Sequence, residues 1–600
     1  MTVLATHPAI SREPRFESRI LLLLLWSVAV LTLCATFGTS SLSTDDAMRL
    51  VEVRDFIAGQ NWFDLTQYRL NPPGGVVTHW SRLIDLPLAL LIKANATFLP
   101  AALAERVVII VWPTALLLAF FAGVMRLARE LAGETAARVA LIFAAMTEPV
   151  LQHFRPGALH HHNVQIVLII WSLALFARFP SRSRDAAVAG LLGALSVAIG
   201  QEMVPAVATL AVIVALRWVV EGGPCGRTTI AYALSLAVGA IALAATTIAP
   251  VSYFIVHCDS ISIAQVGVLG LCGFSLAVLA ALPQLNSIGR RLTAAAGLAL
   301  VLAAAIKLEA PQCLRDPYAQ LDPRLAGQWL ASVAEARDLF SMMRDLPQEI
   351  PAYFGIPLAA LILGTIRCLR ETGQARWNWI CCTASQAAFL AVSIWQLRGT
   401  SGANALGAAL VPAALLLMLP APHGSASYFG LSRAALVVLL FLNPVALLAL
   451  GKGTAHAVGA SAVTTRRILN SGDPGTCQRA SDYAPLAKLP RGRVLAFIDS
   501  GPFILMESPH AVFAAPYHRN QAGNLAMLDM YLAAPNVAKV RLAAHDVDYV
   551  AFCPGAPERY EYASDAPASL AAALSRNDTP DFLERVPLEG TDLAVYRVRR

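Results

Sequence analysis

Three consecutive histidines, His160, His161 and His162, lie in a short polar break between two apolar stretches of the chain. Imidazole is a common metal ligand and titrates near neutral pH. Successive residues of a helix point about 100° apart, so at most two of the three rings would face one common site. The cluster is therefore a candidate for metal or substrate binding, although three solvated histidines at an interface would give the same pattern.

Two adjacent acids, Asp45 and Asp46, follow the first apolar stretch directly. Paired carboxylates can hold a divalent metal, and either one can act as a general base. Ser43 or Thr44 followed by acids is also an ordinary helix N-terminus, which would account for one of the two carboxylates. We therefore expect Asp46 or Asp45 to be catalytic.

Further polar residues lie near the ends of apolar stretches and are candidates for substrate binding. Arg82 could bind a phosphate, since guanidinium pairs with phosphate in a bidentate manner, and Arg155, near the histidines in the sequence, is a further candidate for substrate binding. His79 lies near Arg82 in the sequence, and Glu202 ends a predicted span, where an acid usually has a partner or a function. The segment 517–519 (Tyr-His-Arg) either faces the same site or holds a C-terminal domain together.

The composition is that of a membrane protein. Of the 600 residues, 56% are hydrophobic and only 14% are charged, and the mean hydropathy is +0.58. A soluble domain has about 25% charged residues. The net charge of +7 does not indicate nucleic-acid binding, because the arginines lie mostly in short loops between apolar runs.

About thirteen stretches are apolar and of roughly the length needed to cross a bilayer, which takes about 17–25 residues. The first is preceded by arginines and lacks the usual small-residue cleavage site, so an uncleaved span is favoured over a signal peptide. The predicted spans are 19–38, 105–126, 136–151, 163–179, 186–201, 203–220, 229–250, 262–282, 292–308, 354–370, 378–397, 403–420 and 433–451.

The positions of the arginines predict the orientation. With the N-terminus in the cytoplasm, every cytoplasmic loop is basic, as the positive-inside rule requires. A further apolar stretch, 83–100, contains Asp85, Pro87 and Lys93, and counting it as a span would invert the rule downstream. We expect this stretch to form an interfacial helix on the outer face.

Three regions then face outward and are too long to be simple turns. Two are loops of a transmembrane domain at 1–451, covering about 39–104 and 309–353. The third, 452–600, alternates strand-like segments with helical ones, which predicts an α/β domain on the outer side. The fold class expected is therefore mostly α, a polytopic helical bundle with a C-terminal α/β domain.

Four cysteines fall in the outward regions. They suggest the disulfides Cys258–Cys313 and Cys477–Cys553, which would fit an oxidising compartment. Free buried thiols explain the same residues equally well.

The chain resembles the GT-C membrane glycosyltransferases, and among them the single-subunit oligosaccharyltransferases. The likeness covers the whole chain as topology: acids after the first span, a polar loop between the third and fourth spans, a long later outer loop and a C-terminal outer domain. It reaches motif level at Asp45–Asp46 and at GALHHHNVQ, which is similar to the family's G-x-x-D-H-H sequence. His161 and His162 keep their places in that motif, and His160 stands where the family has an acid.

The resemblance implies a function and a set of ligands. A polyprenyl-phosphate-linked sugar or oligosaccharide would enter from the membrane lipid and be transferred, on the periplasmic face of a bacterial inner membrane, to an envelope glycan, lipid or protein. Asp46 or Asp45 would orient or deprotonate the acceptor. A divalent metal, Mg²⁺ or Mn²⁺, would be held by Asp46, His160 and His161, although hard cations prefer oxygen ligands.

Two other function classes fit parts of the pattern. A membrane transporter would place charged residues inside its spans, near the midplane, whereas here the charges gather at the outer boundary. A non-catalytic scaffold in envelope assembly would fit the missing acid at position 160.

Overall fold

The computed structural model describes residues 15–38, 42–315, 318, 320–419, 432–457, 477 and 479–599. The protein is mostly α-helical, with a small mixed sheet near the C-terminus. This confirms the predicted fold class. The predicted start of the outer domain, near residue 452, adjoins residues 458–476, which lie outside the described part of the chain.

Every predicted span coincides with a helix or with part of a bent one. Within the described residues, eight helices are long and apolar enough to cross a membrane, or nine if one bent pair counts as a span. This is fewer than thirteen, partly because two helices have only 15 and 17 residues. The protein is a multi-pass membrane protein, with apolar helices at Arg15–Phe37, Ala101–Ala144, His162–Phe176, Ser183–Ile199, Val204–Glu221, Gly223–Thr247, Ile263–Ala281, Ile288–Glu309, Ile350–Arg370, Gly373–Trp395, Gly399–Met418, Arg433–Phe441 and Pro444–Ala457.

Two of the predicted spans, 105–126 and 136–151, belong largely to one long helix, Ala101–Ala144. It is interrupted at Ala132 and Gly133, where the backbone leaves the helical region. Gly133 has φ +85°, a conformation that glycine adopts without steric cost. The interruption therefore separates the two predicted segments at a residue suited to a bend.

The first outer loop contains two helices and a short hairpin. Thr44–Ile57, which we call the acidic helix, begins at a Ser43 capping box. The strands β1 (Thr66–Gln67) and β2 (Val76–Val77) pair antiparallel. The stretch predicted to form an interfacial helix is helical at Arg82–Ala96. The later outer loop holds the short helices Pro323–Gln328 and Leu339–Asp345.

The C-terminal region is built on a five-stranded sheet. Its strands are β3 (Arg493–Leu495), β4 (Ala511–Val512), β5 (Tyr549–Phe552), β6 (Leu583–Val586) and β7 (Ala594–Val598), and the helices of this region are Ser500–Glu507, Gln521–Tyr531, Pro535–Ala544, Pro557–Asp565 and Leu570–Ser575. The strands lie in the order β4-β3-β5-β7-β6, with β3 parallel to β4 and β5, and β7 antiparallel to β5 and β6. The four predicted strand segments contain β3, β4, β5 and β7, whereas the short edge strand β6 was not predicted.

The first outer loop and the C-terminal region share one hydrophobic core. Buried residues of the acidic helix, such as Val51, belong to the same cluster as Phe497 and Tyr531 of the sheet region. The backbone also joins the two parts, because Asn71 N–H donates to Val512 O (2.7 Å) and Val512 N–H donates to Arg69 O (2.9 Å). The sheet therefore holds the first outer loop in a fixed position.

Both hypothetical disulfides are present. Cys258 is bonded to Cys313, and Cys477 is bonded to Cys553. The first joins the two outer loops that follow Gly223–Thr247 and Ile288–Glu309. Both bonds lie on the side predicted to face an oxidising compartment.

A buried network of ion pairs lies between the acidic helix and the helix Arg82–Ala96. Arg49 pairs with Asp85 at 2.7 Å and with Glu52 at 3.3 Å, and Arg82 pairs with Asp85 at 2.9 Å. The side chains of Arg49 and Asp85 are fully buried, and the Arg49 guanidinium lies 4.5 Å from the centre of the Trp80 ring. The network fastens the acidic helix to the helix Arg82–Ala96.

We predict that Asp85→Asn lowers the apparent melting temperature of the detergent-solubilised protein markedly. The substitution leaves two buried guanidinium groups without their shared carboxylate, and breaking a buried pair costs about 3–5 kcal/mol. Thermal unfolding followed by intrinsic fluorescence measures the effect.

Glu584→Gln is the matched control. Glu584 pairs with Arg599 at 3.5 Å, and both side chains are at least half exposed. Losing such a pair changes stability by no more than about 1 kcal/mol. Equal melting temperatures for the two variants would contradict a stabilising role for the buried network.

Candidate functional site

Both carboxylate oxygens of Asp46 are occupied by hydrogen bonds. Oδ2 accepts from the backbone N–H of Ser43 (3.1 Å) and from Ser43 Oγ (2.6 Å). Oδ1 accepts from the backbone N–H groups of Leu159 (2.7 Å) and His160 (3.1 Å), and from His160 Nδ1 (2.8 Å). The residue is fully buried. Asp46 therefore caps its own helix and at the same time fixes the segment 152–162, which we call the histidine loop.

These contacts set the charges of the pair. Burial alone would raise the pKa of Asp46, but the charge of His160 and the hydrogen bonds from His160 and Ser43 hold it well below its usual range. Burial favours the neutral ring of His160, but the charge and hydrogen bond of Asp46 raise the pKa of this imidazole. The pair is thus stabilised as a carboxylate with an imidazolium.

Asp45 has a different environment from Asp46. Among the described residues, nothing donates a hydrogen bond to its carboxylate. Burial and, next, the negative charge of Glu335 raise the pKa of Asp45 to about 7. A carboxyl group with this pKa takes up and releases a proton near neutral pH, which suits a general base.

A chain of hydrogen bonds leads from Asp46 across the histidine loop. His160 Nε2 lies 3.4 Å from His153 Nδ1, and His153 Nε2 lies 2.8 Å from Ser401 Oγ. Burial and the charge of His160 lower the pKa of His153 to about 3. His153 therefore stays neutral and links the loop to the helix Gly399–Met418.

The other two histidines of the run have different carboxylate partners. His161 Nε2 lies 3.0 Å from Glu202 Oε1, and His162 Nε2 lies 3.9 Å from Glu335 Oε2. Burial would raise the pKa of Glu202, but the charge of His161 and its hydrogen bond lower it well below the usual value. The structure thus brings together Asp46, the histidine run and Glu202, but it divides the run among three acids.

Two arginines border this cluster. Arg155 Nη2 is 3.9 Å from Asp46 Oδ2. Arg398 donates to the hydroxyl of Tyr318 (2.8 Å), and its backbone N–H donates to Glu335 O (3.1 Å). The Nε atom of Arg398 is buried and has no hydrogen-bond partner in the described chain. Both guanidinium groups place a positive charge at the edge of a site that contains several carboxylates.

The candidate residues His79 and Arg82 lie in other networks. His79 belongs to a second group with Asp259 and His518, whose ligand atoms lie within 4.8 Å of one another. Arg82 is buried, pairs with Asp85 and donates to Gln60 and Asp64. The Nε atom of Arg82 has no hydrogen-bond partner among the described residues, and the predicted role of Arg82 in substrate binding stays a prediction.

The segment 517–519 joins the C-terminal region to two other parts of the chain. Tyr517 donates to Thr44 O (3.2 Å), at the start of the acidic helix. His518 and Arg519 bind the Asp259 carboxylate, with Arg519 Nη2 at 2.6 Å from Oδ1 and His518 Nε2 at 2.8 Å from Oδ2. The outer region is thereby held to the loop that carries Cys258.

Three residues of these networks, Ser401, Arg398 and Asp259, were not predicted from the sequence, and Glu335 was a candidate that nothing distinguished from Glu349 in the same loop. Glu335 lies in a long loop without a motif, and Ser401 and Arg398 lie at the start of an apolar helix. Charged residues at the outer boundary of a span were the signal available for Arg398. Glu335, Ser401 and Asp259 carried no signal that separates them from other loop residues.

No protein-family model matches the chain, and no curated protein sequence matches it. Solved structures of glycosyltransferases do share its fold, among them the following three. The archaeal oligosaccharyltransferase AglB from Archaeoglobus fulgidus, in complex with an inhibitory peptide and a dolichol-phosphate, has a TM-score of 0.63 and 14% identity, covering 95% of this chain and 73% of that one.

The oligosaccharyltransferase of A. fulgidus in complex with Zn and sulfate has a TM-score of 0.60 and 16% identity, covering 92% of this chain and 70% of that one. The mycobacterial arabinofuranosyltransferase AftD has a TM-score of 0.50 and 14% identity, covering 97% of this chain and 42% of that one. The chain therefore has the GT-C fold of these glycosyltransferases.

Proposed function

We propose that this protein is a membrane glycosyltransferase that moves a sugar or oligosaccharide from a polyprenyl-phosphate-linked donor to an envelope glycan, lipid or protein. The observation that carries the proposal is geometric: Asp46 is bonded directly to the histidine loop, with Asp45 next to it in the chain and Arg155 at the edge, in a protein with the GT-C fold. The raised pKa of Asp45, about 7, agrees with this proposal. One of the similar structures contains a dolichol-phosphate, which is a lipid phosphate of the kind proposed for the donor.

Asp45 would act as the base. The acceptor hydroxyl or amide attacks the anomeric carbon of the donor sugar, the bond from that carbon to the phosphate oxygen breaks, and the acceptor proton passes to Asp45. Asp46 would not compete for this proton, because its low pKa and its hydrogen bonds keep it ionised and occupied. Asp46 would instead position the histidine loop beside the base.

Arg398 and Arg155 would bind the phosphate. Arginine pairs well with phosphate oxygens, and the Nε atom of Arg398 still has a hydrogen bond to give. His162, Glu202 and His79 would contact the polar part of the donor or acceptor. The tail of the lipid would remain among the apolar helices, where hydrocarbon is its natural solvent.

We place the protein in a bacterial inner membrane, with its N-terminus in the cytoplasm and the site on the periplasmic face. Basic loops support this orientation, for example the one between residues 126 and 138. The two disulfides support it as well, since both lie on the side of the site. We keep the division into a transmembrane domain, 1–451, and an outer domain, 452–600, as part of the same proposal.

Asp45→Asn is expected to lower kcat by about 10²–10⁴-fold, the usual contribution of a general base. Transfer from a synthetic polyprenyl-phosphate sugar by the purified protein is the measurement. Donor binding, followed by fluorescence of a labelled lipid, should change little, because Asp45 is not among the proposed phosphate ligands.

Asp55→Asn is a control on the same helix. Asp55 accepts a hydrogen bond from Gln67 at the far end of the acidic helix (2.9 Å), so its loss should leave kcat within about twofold. The proposed role of Asp45 fails if Asp45→Asn keeps wild-type kcat, and the proposed function fails if the wild-type protein neither binds the donor nor transfers sugar.

The pH dependence should show the titration of Asp45. The base works only when ionised, so kcat/KM should fall as the pH drops below about 7, the pKa of this group.

The stability of the protein should change with pH in the opposite direction. Because the pKa of Asp45 is raised above its ordinary 3.8, its contribution to stability is complete below about pH 4 and is lost as the pH rises through about 7.

Asp45→Asn should therefore be at least as stable as the wild type at pH 8 while it is less active, and melting curves at pH 5 and pH 8 measure this. A pH–rate profile that stays flat from pH 5 to pH 8 would contradict the role of Asp45.

A further inference from the structure

We propose that His161, His162 and Glu202 bind one divalent transition-metal ion of the zinc class. Each of these residues offers a ligand atom, and the three atoms lie within 4.8 Å of one another. This ligand set differs from Asp46, His160 and His161, which the sequence suggested.

The geometry is close to that of a metal centre. His161 Nε2 and Glu202 Oε1 are 3.0 Å apart, and two ligands of a tetrahedral zinc ion are separated by about 3.3 Å, given bonds of about 2.0 Å. The rings of His161 and His162 are 4.5 Å apart, centre to centre. Small movements of these side chains would bring all three atoms to one ion.

Two buried polar atoms of this group have no hydrogen-bond partner in the described chain. They are Glu202 Oε2 and His161 Nδ1. A buried carboxylate oxygen without a partner is costly, and such an atom is available as a second metal contact. The burial of His161, which is only 6% exposed, limits the access of water that could otherwise satisfy it.

Gly200 provides the space around the carboxylate. A Cβ atom at this position would lie 2.5 Å from Glu202 Oε2 and 3.0 Å from His161 Cδ2. No side chain larger than hydrogen fits there without moving Glu202. Because Gly200 has no side chain, the Glu202 carboxylate and the His161 ring can occupy the space that a methyl group would fill.

Asp46 and His160 do not fit a metal. The oxygens of Asp46 accept five hydrogen bonds, three on Oδ1 and two on Oδ2. Nδ1 of His160 is one of the donors, and its Nε2 faces His153 at 3.4 Å. These residues would have to release several hydrogen bonds before they could ligate an ion.

The chemistry of the donors selects the ion. Two imidazoles and one carboxylate suit Zn²⁺ and its neighbours in the first transition row, whereas Mg²⁺ prefers oxygen ligands only. Arg398 carries positive charge toward Glu202 and His162. A metal at this place would add to that charge where we propose that the donor phosphate binds, and His162 and Glu202 would then act on the donor through the ion rather than by direct contact.

The second group, His79, Asp259 and His518, is a weaker candidate. Arg519 already binds both oxygens of the Asp259 carboxylate, at 2.7 and 2.6 Å. A cation would have to displace the guanidinium or lie against it. Because this group also contains two histidines and one acid, a variant in it serves as a control for metal binding at His161, His162 and Glu202.

Titration of the full-length, chelator-treated protein in detergent with Co²⁺ tests the proposal. Cobalt is a spectroscopic substitute for zinc, and its visible absorption reports nitrogen and oxygen ligands in a low-coordinate site. We expect one Co²⁺ per chain, displaced by Zn²⁺ but not by Mg²⁺. Glu202→Gln and His162→Ala should each weaken binding at least about 10-fold, since even residues that only support a ligand contribute about 10–100-fold.

Three further variants make the result specific. Gly200→Ala keeps all three ligands and should weaken binding, because its methyl group displaces the carboxylate. His518→Ala and His160→Ala should bind Co²⁺ as the wild type does. Unchanged elution on size exclusion and unchanged circular dichroism would show that each variant is folded.

The proposal is overturned if the wild type binds no Co²⁺, or if Glu202→Gln binds it as tightly as the wild type. It is also overturned if His518→Ala or His160→Ala loses the ion to the same extent as Glu202→Gln. Metal binding is measured without a sugar donor, so its failure would leave the proposed transferase activity standing, and the reverse also holds.

Discussion

The Asp46 carboxylate is the contact on which the site depends. It accepts hydrogen bonds from Ser43, at the start of its own helix, and from Leu159 and His160, more than one hundred residues later. Hydrogen bonds to a charged acceptor are worth about 1.5–3 kcal/mol each, roughly twice a neutral one. One buried carboxylate thus joins the first outer loop to the histidine loop, and the two candidate groups for chemistry lie together because of it.

The rest of the outer structure keeps that contact in place. The ion network around Arg49 and Asp85 fastens the acidic helix to the helix Arg82–Ala96. The C-terminal region also fixes the first outer loop, through the backbone hydrogen bonds at Val512 and the hydrogen bond from the Tyr517 hydroxyl to Thr44 O. These attachments restrict the movement of Asp45, which follows Thr44 directly, and a restricted base needs less reorganisation to reach its substrate.

Much of the fold could be predicted from the sequence, because hydrocarbon imposes a simple rule on spans. Spans must be long and apolar, and buried strands carry short apolar runs, so most element positions followed from these patterns. The adjacency of Asp46 and the histidine loop followed from topology and resemblance. Partners across long separations could not be predicted, and Glu335 and Ser401 are examples, since nothing local distinguishes them from neighbouring loop residues.

Individual roles also depended on geometry that a sequence does not contain. Asp45 and Asp46 are identical in type and adjacent, and a helix start could have used either one as its cap. Only the structure shows that the capping box takes Asp46 and leaves Asp45 without a hydrogen-bond donor among the described residues. Burial and the charge of Glu335 then raise the pKa of Asp45 to about 7. Arg82 had the right chemistry for phosphate, but its pairing with Asp85 depends on a neighbour three residues away on a buried face.

The imidazole at position 160 changes the electrostatics of the whole cluster. An acid at this place would put two carboxylates side by side, and such a pair remains ionised only with a cation between them. His160 instead donates a hydrogen bond to Asp46 and carries the balancing charge itself. Asp46 then has no need of a metal, whereas Glu202 has one buried carboxylate oxygen without a hydrogen-bond partner among the described residues. Histidine in place of an acid at position 160 removes a metal ligand beside Asp46. This agrees with a cation bound instead by Glu202, on the other side of the histidine run.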